Sequence, residues 1–276
     1  MGKQKSVCTV WYNGLELIEG MGKTGMQKRR KNPVNIVTTD AHMCSLDLRL
    51  KILRGLPFFT SLTDEALQAV NLLFRETGYQ PDEFLNFAGD DGKKLYVVAE
   101  GRVKLLRQTT GGKQIMLDLL VPGEFFGNIG QAPQPYPDTA QAQTSVCALT
   151  ISIDDFRGVM RSHPAVALAV LDTVTGRLQS AHDTIHLLSV EPAEKRVAHT
   201  LLRLARKLGK QEEFGLLIQT PLSREALAEM TGITTETASR VISQFQREGW
   251  IDTGRQWVAI KDQTALGTIL DNDGGA

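Results

Sequence analysis

The amino-acid sequence predicts an α+β chain: a β-rich region, then a long helix, then a C-terminal helix-turn-helix with a β-hairpin. Three observations support this. Short β-prone segments separated by turn residues follow one another between residues 79 and 152. After Pro164 the apolar residues recur with the helical period over one long segment. Residues 221–260 then combine two capped helices, a glycine turn and an alternating hairpin.

The β-rich region is expected to form a sandwich or barrel of the jelly-roll type, because many short strands at this spacing are typical of that architecture. Two helices are predicted before it, at 46–56 and from Thr63 to Phe74, with Pro57 ending the first. Strands are predicted within LYVVAEGRVKLL (95–106), IMLDLL (115–120) and SVCALTIS (145–152), with a hairpin turn at 109–112.

The long helix is predicted from Pro164 to about Ser189, after a short helix that begins at Asp154-Asp155. Its apolar stripe needs a partner: either a second copy of the helix in a homodimer or the β-rich domain of the same chain. Glu191-Pro192 ends it, and a further helix is predicted over 193–209. The stripe consists of Val166, Val170, Val174, Leu178, Ile185 and Leu188.

Four segments follow from these patterns. Residues 1–42 are expected to be a flexible basic tail, with seven basic and three acidic residues. Its run Lys28-Arg29-Arg30-Lys31 is either a solvated stretch or a supplementary phosphate contact. Residues 43–160 form the β domain, 161–190 the long helix and 191–276 the C-terminal domain.

Composition and motifs exclude several classes of protein. With 42% hydrophobic and 22% charged residues, the chain is neither disordered nor collagen-like. No run is apolar enough for a transmembrane helix, and no signal peptide is expected. Three widely spaced cysteines indicate neither a disulfide framework nor a CxxC zinc site, so a reducing cytoplasm is the expected setting. No nucleophile–base set, phosphate-binding loop or metal-ligand spacing indicates an enzyme.

Residues 221–260 carry the functional signal. Ser223 and Thr234 are suited to cap two successive helices, and Gly232 can adopt the left-handed conformation of the turn between them. Ala228 is small where the helices cross. After Gly249 an alternating segment turns at Thr253-Gly254, which predicts a β-hairpin wing. The expected core of the motif is Leu227, Ile233, Ala238 and Val241, with Ile242 and Phe245 on the same inner side.

The outer face of the second helix is short and polar, as reading base edges in a major groove requires. Arg240 can donate two hydrogen bonds to guanine, Glu236 can accept from cytosine, and Ser239 can meet either kind of edge. Thr235, Glu236, Ser239 and Arg240 are therefore the predicted base-reading residues. The predicted phosphate-contacting and positioning residues are Ser223, Arg224, Thr234, Ser243, Gln244 and Arg255.

The charge of the chain does not favour non-specific electrostatic attraction to DNA. The chain has zero net charge, and residues 191–276 hold 11 basic and 12 acidic residues. Binding to double-stranded DNA would then rest on a few placed groups and on helix N-termini. The alternative is a ligand-binding regulatory module that acts on a protein partner, against which the polar face from Glu236 to Arg240 argues.

The chain resembles the Crp/Fnr family of bacterial transcription regulators over residues 44–266. The segment Glu236-Thr-Ala-Ser-Arg240 is similar to the Fnr-type recognition helix, in which the Glu, Ser and Arg read bases. The resemblance implies a cyclic-nucleotide-binding-like β-roll sensor, a homodimer on a palindromic TTGA/TCAA-like site, and an activator that contacts RNA polymerase. Cyclic-AMP-responsive members carry Arg where this chain has Thr235, which disfavours the TGTGA-type half-site.

The sensor region departs from two patterns of that family. Asn128 stands where cyclic-AMP binders have the ribose-binding Glu, and Asp138-Thr139 where they have Arg-Ser, so cyclic AMP is disfavoured as a ligand. Cys44 and Cys147 fall near cluster-ligand positions, but Cys8 is remote and a four-cysteine iron–sulfur cluster is excluded. Cys147 is interpreted as a small buried strand residue. Haem remains an alternative through three histidines, His163, His182 and His186.

Overall fold

The computed structural model describes residues 33–34, 44–108, 114–129 and 134–271. Nearly all of the predicted basic tail, the hairpin tip at 109–112 and part of the proline-rich loop lie outside these ranges. The described helices are α1 (Leu46–Gly55), α2 (Asp64–Asn71), α3 (Ile153–Ser162), α4 (Pro164–Val190), α5 (Ala193–Leu208), α6 (Arg224–Thr231), α7 (Thr235–Arg247) and α8 (Gln263–Asp271), with a 3-10 turn at Pro57–Phe59. No described helix is both long and apolar enough to cross a membrane.

Twelve strands lie in the described ranges and form three four-stranded sheets. The first two sheets have the orders β1-β8-β3-β6 and β2-β7-β4-β5, and the third has the order β11-β12-β10-β9. The strands are β1 (Arg75–Tyr79), β2 (Phe84–Asn86), β3 (Lys94–Glu100), β4 (Val103–Gln108), β5 (Gln114–Leu120), β6 (Phe125–Gly127), β7 (Thr139–Ala142), β8 (Val146–Ser152), β9 (Gly209–Glu212), β10 (Gly215–Ile218), β11 (Ile251–Gly254) and β12 (Trp257–Ile260).

The first two sheets form the predicted β-roll, with an apolar core between them. Alternate residues of β3 and β8 point to opposite faces of the first sheet. Tyr96, Val98, Val146 and Ala148 contribute to the core between the sheets. The other face is covered by helices, so β3 and β8 are buried on both sides, which explains their nearly continuous apolar sequences.

The covering core contains α1, the 3-10 turn, α2, α3 and the start of α4. Phe58 of the 3-10 turn packs edge-to-face on Phe125 of β6, with ring centroids 5.1 Å apart. Arg49 anchors α1: its Nε donates to Oδ1 of Asn71 at 3.0 Å, and its Nη2 donates to the carbonyl of Phe74 at 2.9 Å. Glu76 accepts a further bond from the same guanidinium.

Two of the three widely spaced cysteines are joined in this core. Cys44 and Cys147 form a disulfide, with their Cα atoms 6.1 Å apart and a sequence separation of 103 residues. The expectation of no disulfide was wrong because cysteine pairing across a core leaves no local signal in the sequence. Cys147 is indeed a buried strand residue.

The β-roll of the same chain covers the apolar stripe predicted for α4 only at the start of the helix. Val166 is fully buried and Val170 packs partly into the covering core, so these two face the β-roll of the same chain. The stripe residues farther along α4 are exposed instead, namely Val174, Leu178, Ile185 and Leu188, and so are Leu168 and Leu171.

The C-terminal domain combines helices α5 to α8 with the third sheet. Leu201, Leu227, Ile242 and Phe245 are fully buried in its core. The hairpin of β9 and β10 was missed in the sequence because its residues Gly209–Glu212 are polar and exposed, without the alternation of a half-buried strand.

The wing is present, but its turn was misplaced. β11 pairs with β12 from Ile251 to Gly254, and the chain reverses at Arg255 and Gln256, where Gln256 has φ 63°. Gly254 is a strand residue, and a Cβ on it would collide with the indole of Trp257. The glycine therefore makes room for an aromatic ring instead of forming the turn.

Candidate nucleic-acid interface

Helix α6 begins and ends as its sequence predicts. The hydroxyl of Ser223 accepts from the backbone N–H of Ala226 at 3.0 Å and caps the helix. Gly232 adopts φ 64° and ψ 32° at the C-terminal end, a left-handed conformation that favours glycine. The N–H of Ile233 then donates to the carbonyl of Ala228 at 3.1 Å and closes the turn.

Helix α7 begins at its own cap, where the hydroxyl of Thr234 accepts from the N–H of Thr237 at 3.1 Å. Its inner side is completely buried as predicted, since Ala238, Val241, Ile242 and Phe245 all have an exposed fraction of 0%. Ile233, also predicted for this core, is only partly buried against it. Leu227 of α6 packs in the same core. This packing fixes the rotation of α7, and so determines which side chains face away from the domain.

The outer side of α7 brings the predicted base-reading residues together. Thr235, Glu236 and Arg240 are exposed, and Ser239 is half-buried beside them. Among the described residues, no side chain forms a hydrogen bond or ion pair with Glu236 or Arg240. The hydroxyl of Ser243 donates to the carbonyl of Ser239 at 2.8 Å, so the last polar residue of this face is partly engaged by its own helix. Gln244 is half-buried.

A tether joins the start of α6 to the wing. Nη2 of Arg224 donates to the hydroxyl of Thr253 at 3.0 Å, and that hydroxyl donates to the carbonyl of Trp257 at 2.9 Å. Burial lowers the pKa of the Arg224 guanidinium, with a smaller opposing effect of Glu225. Arg224 thus positions the wing, whereas Arg255 is exposed at the wing tip. Sequence patterns did not reveal this tether, because 29 residues separate its two ends.

Asn128 and Asp138, expected at the positions where cyclic-AMP binders hold the ribose and the phosphate, both lie in the β-roll. Nδ2 of Asn128 donates to the carbonyl of Gly92 at 3.0 Å. Asp138 pairs with Arg107 of β4, whose Nε and Nη2 both lie 2.7 Å from its Oδ1.

The candidate haem ligands are not grouped. His182 and His186 are exposed on α4, and His163 occupies the junction of α3 and α4. The described ranges contain no cluster of three or more His, Cys, Asp or Glu side chains that could hold a metal ion.

Comparison with known proteins identifies both domains. A cyclic nucleotide-binding domain model matches residues 76–163, and a Crp-like helix-turn-helix domain model matches residues 195–269. The cyclic AMP receptor protein of Thermus thermophilus is 31% identical over 218 residues, which make up 79% of this chain and 98% of that protein. The chain belongs to the Crp/Fnr family of transcription regulators. It is therefore a DNA-binding regulator and not an enzyme.

Two further known proteins match most of the same span. The fumarate and nitrate reduction regulatory protein of Escherichia coli is 27% identical over 214 residues, covering 76% of this chain and 84% of that protein. FixK2 from Bradyrhizobium japonicum has the same fold, with a TM-score of 0.65, 24% identity, and coverage of 74% of this chain and 98% of FixK2. The predicted family and fold class are thereby confirmed.

Proposed function

We propose that this regulator acts as a homodimer on a palindromic TTGA/TCAA-like DNA site and reads it through the outer side of α7. The observation that carries the proposal is the exposure of Glu236 and Arg240 one helical turn apart, without partners among the described residues, close to the capped start of the helix. A recognition helix reads base edges with residues near its N-terminus. Arg240 would bind guanine, Glu236 would accept from cytosine, and Thr235 and Ser239 would contact neighbouring edges.

The remaining contacts would go to the backbone. Ser223 and Thr234 cap α6 and α7, and the N-terminal N–H groups of these two helices would attract DNA phosphates. Arg255 at the wing tip, together with Ser243 and Gln244, would fix the register of the domain on the duplex. Arg224 would act through the wing, because its guanidinium holds Thr253.

The homodimer is supported by the exposed face of α4. Leu171, Leu178 and Ile185 recur every seven residues, and Val174 and Leu188 lie at the intervening positions of the same seam. These side chains are 37–61% exposed in the isolated chain. An apolar heptad seam of this kind is typical of a parallel two-helix coiled coil. Pairing along it would hold two α7 helices at a fixed spacing.

The signal would bind at the β-roll and shift the population between two conformations of the dimer. The DNA-bound dimer would act as an activator by contacting RNA polymerase. Cyclic AMP is not proposed as that signal. Although the Thermus thermophilus relative is named a cyclic AMP receptor protein, Asp138 would place a carboxylate at a phosphate site, where it pairs with Arg107. Titration calorimetry with cyclic AMP tests this: we expect no binding, and micromolar affinity would contradict the assignment.

A DNA titration tests the proposed function. Fluorescence anisotropy would compare a labelled duplex, carrying TTGA and TCAA half-sites with centres about one helical turn (~34 Å) apart, with a scrambled duplex of equal composition. We expect the palindrome to bind at least ~10³-fold more tightly at physiological salt. Equal affinities for the two duplexes would rule out the proposed site.

A further inference from the structure

The disulfide between Cys44 and Cys147 connects the start of α1 to β8, a strand that is paired on both sides. Cys147 lies in β8, which is paired on both sides by β1 and β3. Cys44 directly precedes Ser45, the N-cap of α1. Their Cα separation of 6.1 Å is within the normal range for a disulfide. The Cα positions of the two cysteines are therefore compatible with a disulfide as the backbone stands.

Both sulfur-bearing side chains lie within the covering core. Cys44 is 8% exposed and Cys147 is 4% exposed. The sheet cannot expose Cys147 without losing strand pairing on both sides of β8. Within the described residues, Cys44 and Ser45 belong to no strand, and α1 is held by its apolar face and by Arg49. Opening at α1 is therefore the route of lower free energy by which an oxidant or reductant reaches the pair.

A continuous set of contacts leads from this pair to the long helix. Cys44 and Phe58 belong to one apolar cluster, and Phe58 packs on Phe125. The guanidinium of Arg177, on α4, lies 3.6 Å from the centroid of the Phe125 ring and donates to the Phe125 carbonyl at 2.8 Å. Tethering or releasing the start of α1 therefore changes the constraints on a residue of α4.

We propose that Cys44 and Cys147 are a reversible redox modification site whose state sets the affinity of this regulator for DNA. The oxidant is a peroxide or a small-molecule disulfide. With a peroxide, the Cys44 thiolate attacks one oxygen, the O–O bond breaks, and a sulfenic acid forms. The Cys147 thiolate then attacks that sulfur, the S–S bond forms, and the hydroxyl group leaves as water after taking up a proton. Two thiols and one hydroperoxide thus yield one disulfide, one alcohol and one water. A dithiol reductant reverses the oxidation by exchange.

The oxidised state restricts α1 and stabilises the arrangement described above. Reduction removes the cross-link, and the start of α1 is then held by its apolar face and by the hydrogen bonds of Arg49. In this proposal, DNA binding and disulfide formation are coupled through the same conformational equilibrium of the regulator. The factor by which oxidation changes the affinity for DNA then equals the factor by which DNA changes the equilibrium constant for disulfide formation.

The chemistry is tested first without DNA. The full chain carrying Cys8→Ser is equilibrated in buffers of varied reduced-to-oxidised glutathione ratio, acid-quenched, denatured, labelled with maleimide and weighed by mass spectrometry. We expect two labels on the reduced protein, none on the oxidised protein, and conversion within the range of the glutathione buffers. Protein that stays fully reduced, or fully oxidised, at every ratio would overturn the proposal.

The regulatory claim rests on DNA binding and is measured separately. The two redox forms are titrated with a duplex selected from random sequence by the wild-type protein, so that an incorrect half-site leaves the test intact. We expect affinities that differ by about fivefold or more, the lower range of coupling between two sites. Cys44→Ala, in the Cys8→Ser background, should bind equally under both conditions. A difference below fivefold between the two forms, or an unchanged difference in Cys44→Ala, would refute regulation by this pair.

Discussion

Nζ of Lys207, in the last turn of α5, lies 3.2 Å from Oδ2 of Asp118 on β5, 89 residues away in the sequence. The same ammonium lies 2.8 Å from Oε1 of Glu124. One lysine thus joins the C-terminal domain to two carboxylates of the β-roll. Apolar contact continues the junction, since Leu119 is buried in the core of the C-terminal domain. A change in the β-roll can therefore reach the domain that carries α7.

Replacing Lys207 by Met should weaken this junction. The two carboxylates would lose their common cation while staying about 30% exposed, so we expect the free energy of unfolding to fall by about 1–2 kcal/mol. Lys210→Met is the control, because Lys210 is 69% exposed and, in the part of the chain that the structure describes, its one ion pair is with Glu212 of its own hairpin. Its effect should stay below about 0.5 kcal/mol in urea unfolding. Equal effects of the two variants would contradict a structural role for the junction.

Two glycines should respond to alanine in opposite directions. Gly232 has φ 64°, so Gly232→Ala should destabilise the chain by about 1–2 kcal/mol through backbone strain alone. The added Cβ would lie 3.6 Å from Leu188, an ordinary contact. Gly176 lies within α4 with open space around it, so Gly176→Ala should stabilise by about 0.5–1 kcal/mol. Thermal unfolding of both variants measures the two signs; a neutral Gly232→Ala would mean that the turn accommodates a side chain.

The exposed seam of α4 should decide the oligomeric state. Leu178 is 56% exposed at the centre of the seam, so Leu178→Glu should give a folded monomer through charge repulsion between the two helices. Leu72→Glu is the matched control, because Leu72 is 83% exposed at the end of α2. Sedimentation velocity distinguishes the variants. A Leu178→Glu protein that sediments as wild type would show that this seam is not the dimer contact.

Local patterns were sufficient for the elements that depend on neighbouring residues. Ser223, Gly232 and Thr234 carry caps and a turn within a few residues of one another, so the helix-turn-helix could be located from sequence. The wing turn was misplaced because Gly254 is a turn former by type, yet here it serves the packing of Trp257.

Contacts over long separations had no sequence signal. The Cys44–Cys147 bond, the Lys207 junction and the Arg224–Thr253 tether each join residues that only the folded chain brings together. The sequence also could not show which part of the α4 stripe is covered. Val166 and Leu178 are both apolar, and only the position of the β-roll in the folded chain buries the first and leaves the second exposed.

Base reading by α7 is tested most directly with Arg240→Ala on a panel of duplexes in which each base pair of the half-site is changed in turn. Arg247→Ala is the control, since Arg247 is exposed in the last turn of the same helix. We expect Arg240→Ala to remain a folded dimer and to lose about 1–3 kcal/mol of discrimination at the guanine position, with the other positions little changed. Arg247→Ala should keep the wild-type pattern. If Arg240→Ala discriminates among the duplexes as the wild type does, the assignment of α7 as the base-reading helix through Arg240 is wrong.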